Sequence, residues 1–181
     1  EHYRLVTDGE HSFDSQLRIV TMMADQSKIE EARAYLRTVH AVSTDDKLKI
    51  VRIEGEILAE EGQYEEAMAV YDAALAEYYD TELLYTRAML AEKMDALDIL
   101  ERDLRAIIEE EPENAQALNA LGYTLADRTE RYQEAHDLIR RALELSPTDF
   151  YILDSMGWVL YRLGRFEQAI SYLRQARELR D

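Results

Sequence analysis

The sequence predicts an all-α chain folded as a solenoid of about five helix–turn–helix repeats. Three observations predict it. The first is composition: the 181 residues include only six Gly and two Pro, while Ala, Leu, Glu and Arg, all good helix formers, abound. No window alternates apolar and polar residues between turn signals, as a half-buried strand would. The second is a recurring apolar register with a period of about 34 residues, the signature of stacked helical hairpins. The third is the placing of the helix breakers. Gly55, Gly122 and Gly157 fall at one small position of successive first helices, Gly62 and Gly164 in the turns, and Pro112 and Pro147 just past second helices.

The copies justify each hairpin in turn. Ile19, Met23, Ala32, Leu36 and Val39 mark the first, and Gly55, Leu58, Ala67, Tyr71 and Ala74 the second. The third, with Leu84, Ala88, Ala91, Leu100, Leu104, Ile107 and Pro112, has larger residues at two small positions. The fourth reads Leu118, Leu121, Gly122, Leu125, Ala135, Ile139, Ala142 and Pro147, with one extra residue in its turn. The fifth reads Leu153, Met156, Gly157, Leu160, Ala169, Leu173 and Ala176. The expected repeats are therefore 13–47, 48–80, 81–114, 115–149 and 150–181. Residues 1–12 read as the end of a preceding repeat, Tyr3 to Val6, with a Thr7-Asp8-Gly9 exit.

Small residues let the two helices of a hairpin approach, and large apolar neighbours fill the remaining space. Enlarging Ala135 or Ala169 to Leu is expected to cost about 1–3 kcal/mol. Truncating Leu160 or Leu173 to Ala is expected to cost about 2–5 kcal/mol. A solenoid needs a polar cap on its last repeat. Ile170, Leu173 and Leu179 are therefore expected to be covered by further chain or by a partner subunit.

Composition also excludes functions. With 21 Lys and Arg against 38 Asp and Glu the formal charge is −17, which repels nucleic-acid backbones and anionic membrane surfaces. The chain has no cysteine, so it offers neither disulfides nor thiolate ligands. No apolar run reaches the length of a membrane span. The chain opens at Glu1 with no signal peptide, which reads as a processed or truncated chain without its targeting information. The histidines, His2, His11, His40 and His136, show no metal-ligand spacing. No glycine-rich phosphate loop occurs, and Ser155 has no glycine elbow or partner histidine. The acidic runs around Glu54 to Glu66 and Glu109 to Glu113 lack the spacing of a calcium loop. No catalytic residue, no metal site and no cofactor are expected, and the chain reads as a binder rather than an enzyme.

The order and spacing of the marked residues resemble the tetratricopeptide (TPR) repeat, which implies a right-handed superhelical solenoid. The stretches Asn119-Ala120-Leu121-Gly122-Tyr123-Thr124-Leu125-Ala126-Asp127-Arg128 and Ile152-Leu153-Asp154-Ser155-Met156-Gly157-Trp158-Val159-Leu160-Tyr161-Arg162, with the Val6 to Glu10 exit, resemble TPR proteins of the Gram-negative cell envelope. The resemblance is sharpest over 115–179. It implies an outer-membrane lipoprotein facing the periplasm, anchored through a lipidated cysteine upstream of this chain. It also implies an adaptor that brings a carboxyl-terminal processing protease to its substrates, including cell-wall hydrolases. A cytoplasmic location is the alternative.

The repeat resemblance further implies that the second, fifth, ninth, twelfth and thirteenth places of each repeat line the concave face. The first repeat offers Asp14, Leu17, Thr21, Ala24 and Asp25, and the second Lys49, Arg52, Glu56, Ala59 and Glu60. The third offers Glu82, Tyr85, Met89, Glu92 and Lys93, and the fourth Gln116, Asn119, Tyr123, Ala126 and Asp127. The fifth offers Tyr151, Asp154, Trp158, Tyr161 and Arg162. The candidate site is Tyr85, Met89, Asn119, Tyr123, Asp127, Tyr151, Asp154, Trp158, Tyr161 and Arg162. Its aromatic residues give contact area at low entropic cost. Asn119 offers an amide clamp, Arg162 a partner for carboxylates, and Asp127 and Asp154 partners for basic groups. The alternative is that Tyr123 and Trp158 fill space between first helices, with Asp127–Arg128 or Asp154–Arg162 as internal pairs. The Lys/Asn set of chaperone-tail clamps is absent. Two functions stay open: a scaffold for partner proteins or peptides, and a homo-oligomerisation module acting through the solenoid ends.

Overall fold

A computed structural model of the chain describes residues 10–180, with side chains from Phe13. Among the described residues it is all-α, with ten helices and no strand. It divides into two compact units, one up to Met94 and one from Asp95. The first holds α1 (Glu10–Asp25), α2 (Ile29–Leu36), α3 (Thr44–Glu60), α4 (Tyr64–Glu77) and α5 (Thr81–Lys93). The second holds α6 (Leu97–Glu110), α7 (Ala115–Arg128), α8 (Tyr132–Leu145), α9 (Phe150–Arg162) and α10 (Phe166–Arg180). The division falls inside the expected repeat 81–114, whose small positions hold Leu100 and Ile107. α1 begins at Glu10, and the expected segment Tyr3 to Gly9 lies outside the described residues.

Helix entry follows one rule. The odd-numbered helices from α3 onward start at side-chain caps, which satisfy amide donors that the first turn leaves open. Ser43 Oγ accepts from the Asp46 N–H at 3.0 Å, and Asp46 Oδ2 accepts from the Ser43 N–H at 3.1 Å, forming a capping box. Asp80, Asn114 and Asp149 accept from the N–H groups of Leu83, Ala117 and Tyr151 at 2.7, 2.9 and 2.8 Å. The entries of α2, α4, α6 and α8, at Lys28, Gln63, Ala96 and Arg131, have no side-chain cap. There the backbone closes the turn. The Gln63 N–H donates to the Leu58 carbonyl at 2.8 Å and the Gly62 N–H to Ala59 at 3.1 Å, with Gly62 at φ 75°. Arg165 and Gly164 repeat the pattern onto Leu160 and Tyr161, and Lys28 and Ser27 onto Met23 and Ala24. Ser27 (φ 60°) and Asp95 (φ 58°) take the left-handed conformation without being glycine. The extra residue of the fourth turn replaces this motif. The Thr129 hydroxyl donates to the Leu125 carbonyl at 2.6 Å and accepts the Arg131 N–H at 3.1 Å.

In the first unit, Leu17, Val20, Ala32, Leu36, Val39 and Ile57 form a core cluster. In the second, Leu118, Leu121, Ala135, Ile139, Ala142 and Val159 are fully buried. The small positions work as the sequence predicts. A Cβ on Gly122 would lie 2.6 Å from Ile139 Cγ1, and one on Gly157 2.6 Å from Leu173 Cγ. Leu173 corrects one expectation. It is 40% exposed, so truncating it opens no closed cavity and costs less than the buried-leucine range. Ile170 and Leu179 are also exposed. Four charges tie α6 to α8. Arg105 reaches Glu101 at 2.7 Å and Glu134 at 2.5 Å, and Arg131 reaches the same two carboxylates at 2.8 and 2.7 Å. No described helix is long and apolar enough to cross a membrane.

Candidate interaction surface

Successive odd-numbered helices carry the expected site residues, and the structure sorts them into three places. Tyr85 and Met89, one turn apart on α5, are half-buried in a cavity of about 290 Å³ within the first unit. Glu56, Ala59 and Glu60 of α3 and Lys93 of α5 share that lining. All were expected on one face. Tyr71 joins them from α4; the sequence marks it only as a core residue.

The second place is on α7 and α9. The Trp158 and Tyr161 rings stack at 5.6 Å between centroids and 22° between planes, and Phe166 approaches Tyr161 at 5.7 Å. Arg162, one turn beyond Trp158, lies 5.7 Å from its ring and 4.7 Å from the Tyr132 ring. Its guanidinium donates to the Tyr132 hydroxyl at 2.6 Å and to the Asp127 backbone carbonyl at 3.2 Å. Arg162 is therefore spent on internal bonds that fix the end of α9 to α7 and α8, and neither suggested internal pair forms. Arg128 instead pairs with Asp95. The carboxylates of Asp127 and Asp154 make no ion pair among the described residues. Asn119 Oδ1 and Trp158 Nε1 are buried without partners, so the acceptor half of the expected amide clamp is shut away from solvent. Tyr123 and Tyr161 are exposed.

The third place is the start of α9. Tyr151 is 67% exposed, and with Asp154 it borders a cavity of about 370 Å³ against Leu173, Arg177 and Arg180 of α10. The sequence expects these two beside Trp158; the structure puts them with α10. Tyr132 was missed because it sits on a second helix, outside the spacing that selects concave residues. Among the described residues no group of three or more His, Cys, Asp or Glu is placed to hold a metal. His136 is partly sheltered, 3.5 Å from Asp137.

The chain matches the "Tetratricopeptide repeat-like domain" family over residues 8–99, and two further tetratricopeptide-repeat families over 95–150 and 151–180. The chain belongs to the tetratricopeptide-repeat family. One TPR relative, the TPR repeat-containing protein PA4667 of Pseudomonas aeruginosa, is 45% identical over 97% of this chain. The chain spans 30% of that relative's length. Among solved structures, MamA of Desulfovibrio magneticus superposes with a TM-score of 0.73 at 19% identity, covering 95% of this chain and 96% of its own. YrrB, described as a TPR protein with an unusual peptide-binding site, superposes at 0.67 and 17% identity, covering 91% and 84%. At these identities the likeness to both is one of fold. The TPR reading accounts for the three small glycines and the alternating caps with one repeated unit.

Proposed function

We propose that the chain is a protein-interaction scaffold that holds a partner polypeptide against the odd-numbered helices. The observation that carries this reading is the stacked Trp158–Tyr161 pair with Arg162 locked behind it. A rigid, partly exposed aromatic pair gives contact area with little ordering cost on binding. YrrB, of the same fold, is described as having a peptide-binding site, which supports the same use here. The finer reading is an adaptor in the bacterial envelope, at the periplasmic face of the outer membrane and anchored by a lipid upstream. It would deliver substrates to a carboxyl-terminal processing protease. The envelope-type segments around Gly122 and Gly157 support it.

Immobilised chain would be exposed to a Gram-negative envelope extract and the retained proteins identified. A processing protease and its substrates are expected in the wild-type eluate and absent with Trp158→Ala/Tyr161→Ala, the helical circular dichroism being unchanged. Equal retention by the folded double variant refutes the aromatic surface. Retention of other proteins only refutes the protease adaptor.

A second reading is favoured by α10, where Phe166, Ile170 and Leu173 fall on one face at 58, 50 and 40% exposure. Such a face suits self-association. Sedimentation across concentration tests it, and a strict monomer refutes it.

A further inference from the structure

The cavity between α3, α4 and α5 is acidic and holds a phenol with nothing to bond. Tyr71 is 1% exposed, yet its hydroxyl makes no hydrogen bond to any described residue. Its ring runs from α4 across the backbone of α3 at Gly55. A Cβ there would collide with ring carbons and with the hydroxyl. Glycine at 55 is thus what lets the Tyr71 tip reach the cavity wall. The hydroxyl lies at the cavity wall with no protein partner, so it is open to a hydrogen bond from a group that enters the cavity.

The charges around it are one-sided. Glu56 and Glu60 stand one turn apart on α3 and form no ion pair with a described residue. Arg52, one turn earlier, is held by Asp80 at 3.3 Å and Glu82 at 2.9 Å. Glu92 lies close enough to Tyr85 to act on its hydroxyl. Lys93, exposed, is the one basic residue in the lining. Partial loss of water, then the neighbouring Glu60, holds the Glu56 carboxyl above the usual carboxylate range, so a cation arriving there is favoured. Tyr85 and Met89 supply an apolar wall, and the thioether adapts its shape to what lies against it. The volume of about 290 Å³ is at the lower bound of ligand pockets, a size for one side chain rather than a cofactor.

We propose that this cavity receives a lysine or arginine side chain of the bound polypeptide. Its charge rests on Glu56 and Glu60, its alkyl stem along Tyr85 and Met89, and one of its N–H groups donates to the Tyr71 hydroxyl oxygen. This rests on the scaffold reading and adds the chemistry of the partner: a basic residue presented to the first unit.

The test uses capped pentapeptides, acetyl-Ala-Ala-Xaa-Ala-Ala-amide with Xaa Lys, Arg, Gln or Glu, titrated into the isotopically labelled chain and followed by backbone amide shifts. The Lys and Arg peptides are expected to give saturable shifts confined to 55–60, the turn around Tyr71, and 85–93, weakening between about 20 and about 300 mM NaCl. Gln and Glu peptides should give none. Glu56→Gln/Glu60→Gln should weaken the Lys peptide about tenfold or more, and Tyr71→Phe about threefold to tenfold. Equal shifts from the Gln peptide, shifts elsewhere, no binding, or unchanged affinity in the folded double-Gln variant each overturn the proposal. Trp158→Ala/Tyr161→Ala, in the other unit, separates the two readings. If it abolishes partner capture while no Lys peptide binds, only the cavity assignment fails. If the Lys peptide binds while that variant still captures partners, only the aromatic surface fails.

Discussion

Gly122→Ala sets helix propensity against packing, and the structure says which wins. Within a helix, Ala is favoured over Gly by about 0.8–1 kcal/mol. Against that, the new methyl would lie 2.6 Å from Ile139 Cγ1 and 3.0 Å from the Ala135 carbonyl oxygen. Carbon contacts prefer about 3.5–4.0 Å, so the overlap is about 1 Å. Ile139 and Ala135 are both 0% exposed and have nowhere to go. Overpacking of this kind costs about 1–3 kcal/mol, which offsets the propensity gain and leaves a net loss of up to about 2 kcal/mol. Gly157→Ala is the internal control, at the equivalent place in the next hairpin. Its nearest neighbour, Leu173 Cγ, is also at 2.6 Å, but Leu173 is 40% exposed and can swing outward. The Ala169 carbonyl is farther, at 3.3 Å. Gly157→Ala should therefore be neutral or stabilising by up to about 1 kcal/mol. Urea unfolding followed by far-UV circular dichroism, with a shared slope, measures both midpoints. Ile139→Ala in the Gly122→Ala background should recover part of the loss relative to the sum of the single changes. A Gly122→Ala protein as stable as Gly157→Ala would refute the argument.

Two further outcomes follow from the turns and the charges. Ser27 occupies the left-handed turn position that Gly62 and Gly164 fill elsewhere, so Ser27→Gly should raise the urea midpoint by about 0.5–1 kcal/mol of stability; no rise refutes it. The carboxyl of Glu101 is held below the usual range by Arg131 and then Arg105, and that of Glu134 by Arg105 and then Arg131. A depressed carboxyl stabilises the fold above its unfolded pKa of about 4.3 and loses that contribution as pH falls through the lower folded value. Glu101→Gln should therefore flatten the fall in stability between about pH 5 and about pH 3, and equal slopes in the two proteins would refute the assignment.

The hairpins were legible because their constraints are local. A glycine where two backbones meet, a left-handed residue in a turn and a proline past a helix each leave a mark in the sequence. The fourth turn shows the limit. The extra residue is visible by counting, but the Thr129 hydroxyl that closes it is not, since a side-chain-to-carbonyl bond carries no period. The same limit shaped the site. Tyr85, Met89, Glu56, Ala59, Glu60 and Lys93 follow from repeat position and share one cavity. Arg162 and Asn119 also follow from repeat position, yet packing turns them inward. Arg162 is captured by Tyr132, a residue of the neighbouring second helix that spacing along first helices cannot select. Tyr71 was legible as a core ring, but that its hydroxyl ends at a cavity depends on Gly55, sixteen places earlier in sequence and adjacent only once the helices pair.

The net charge of −17 reads differently once its carboxylates are located. In the second unit many are neutralised in place: Glu101 and Glu134 by two arginines, Glu144 by Arg140 at 2.6 Å, and Asp95 by Arg128. Exposed pairs of this sort contribute little to stability individually, and Asp127 and Asp154, nearer the α9 aromatics, remain outside them. On α3 and α5 the balance is the reverse. The nearby arginine, Arg52, pairs with Asp80 and Glu82 and acts on Glu56 only from a distance, and Glu56 and Glu60 form no ion pair with a described residue. Overall acidity steers partners from a distance and is screened within about 10 Å at 0.1 M salt. Glu56 and Glu60 are exposed beside the cavity, so their pull on a partner acts mainly at contact and weakens with salt. On the two proposals, apolar surface on α9 and positive charge at α3 and α5 are different demands, and a partner that meets both is distinguished from one that meets either alone.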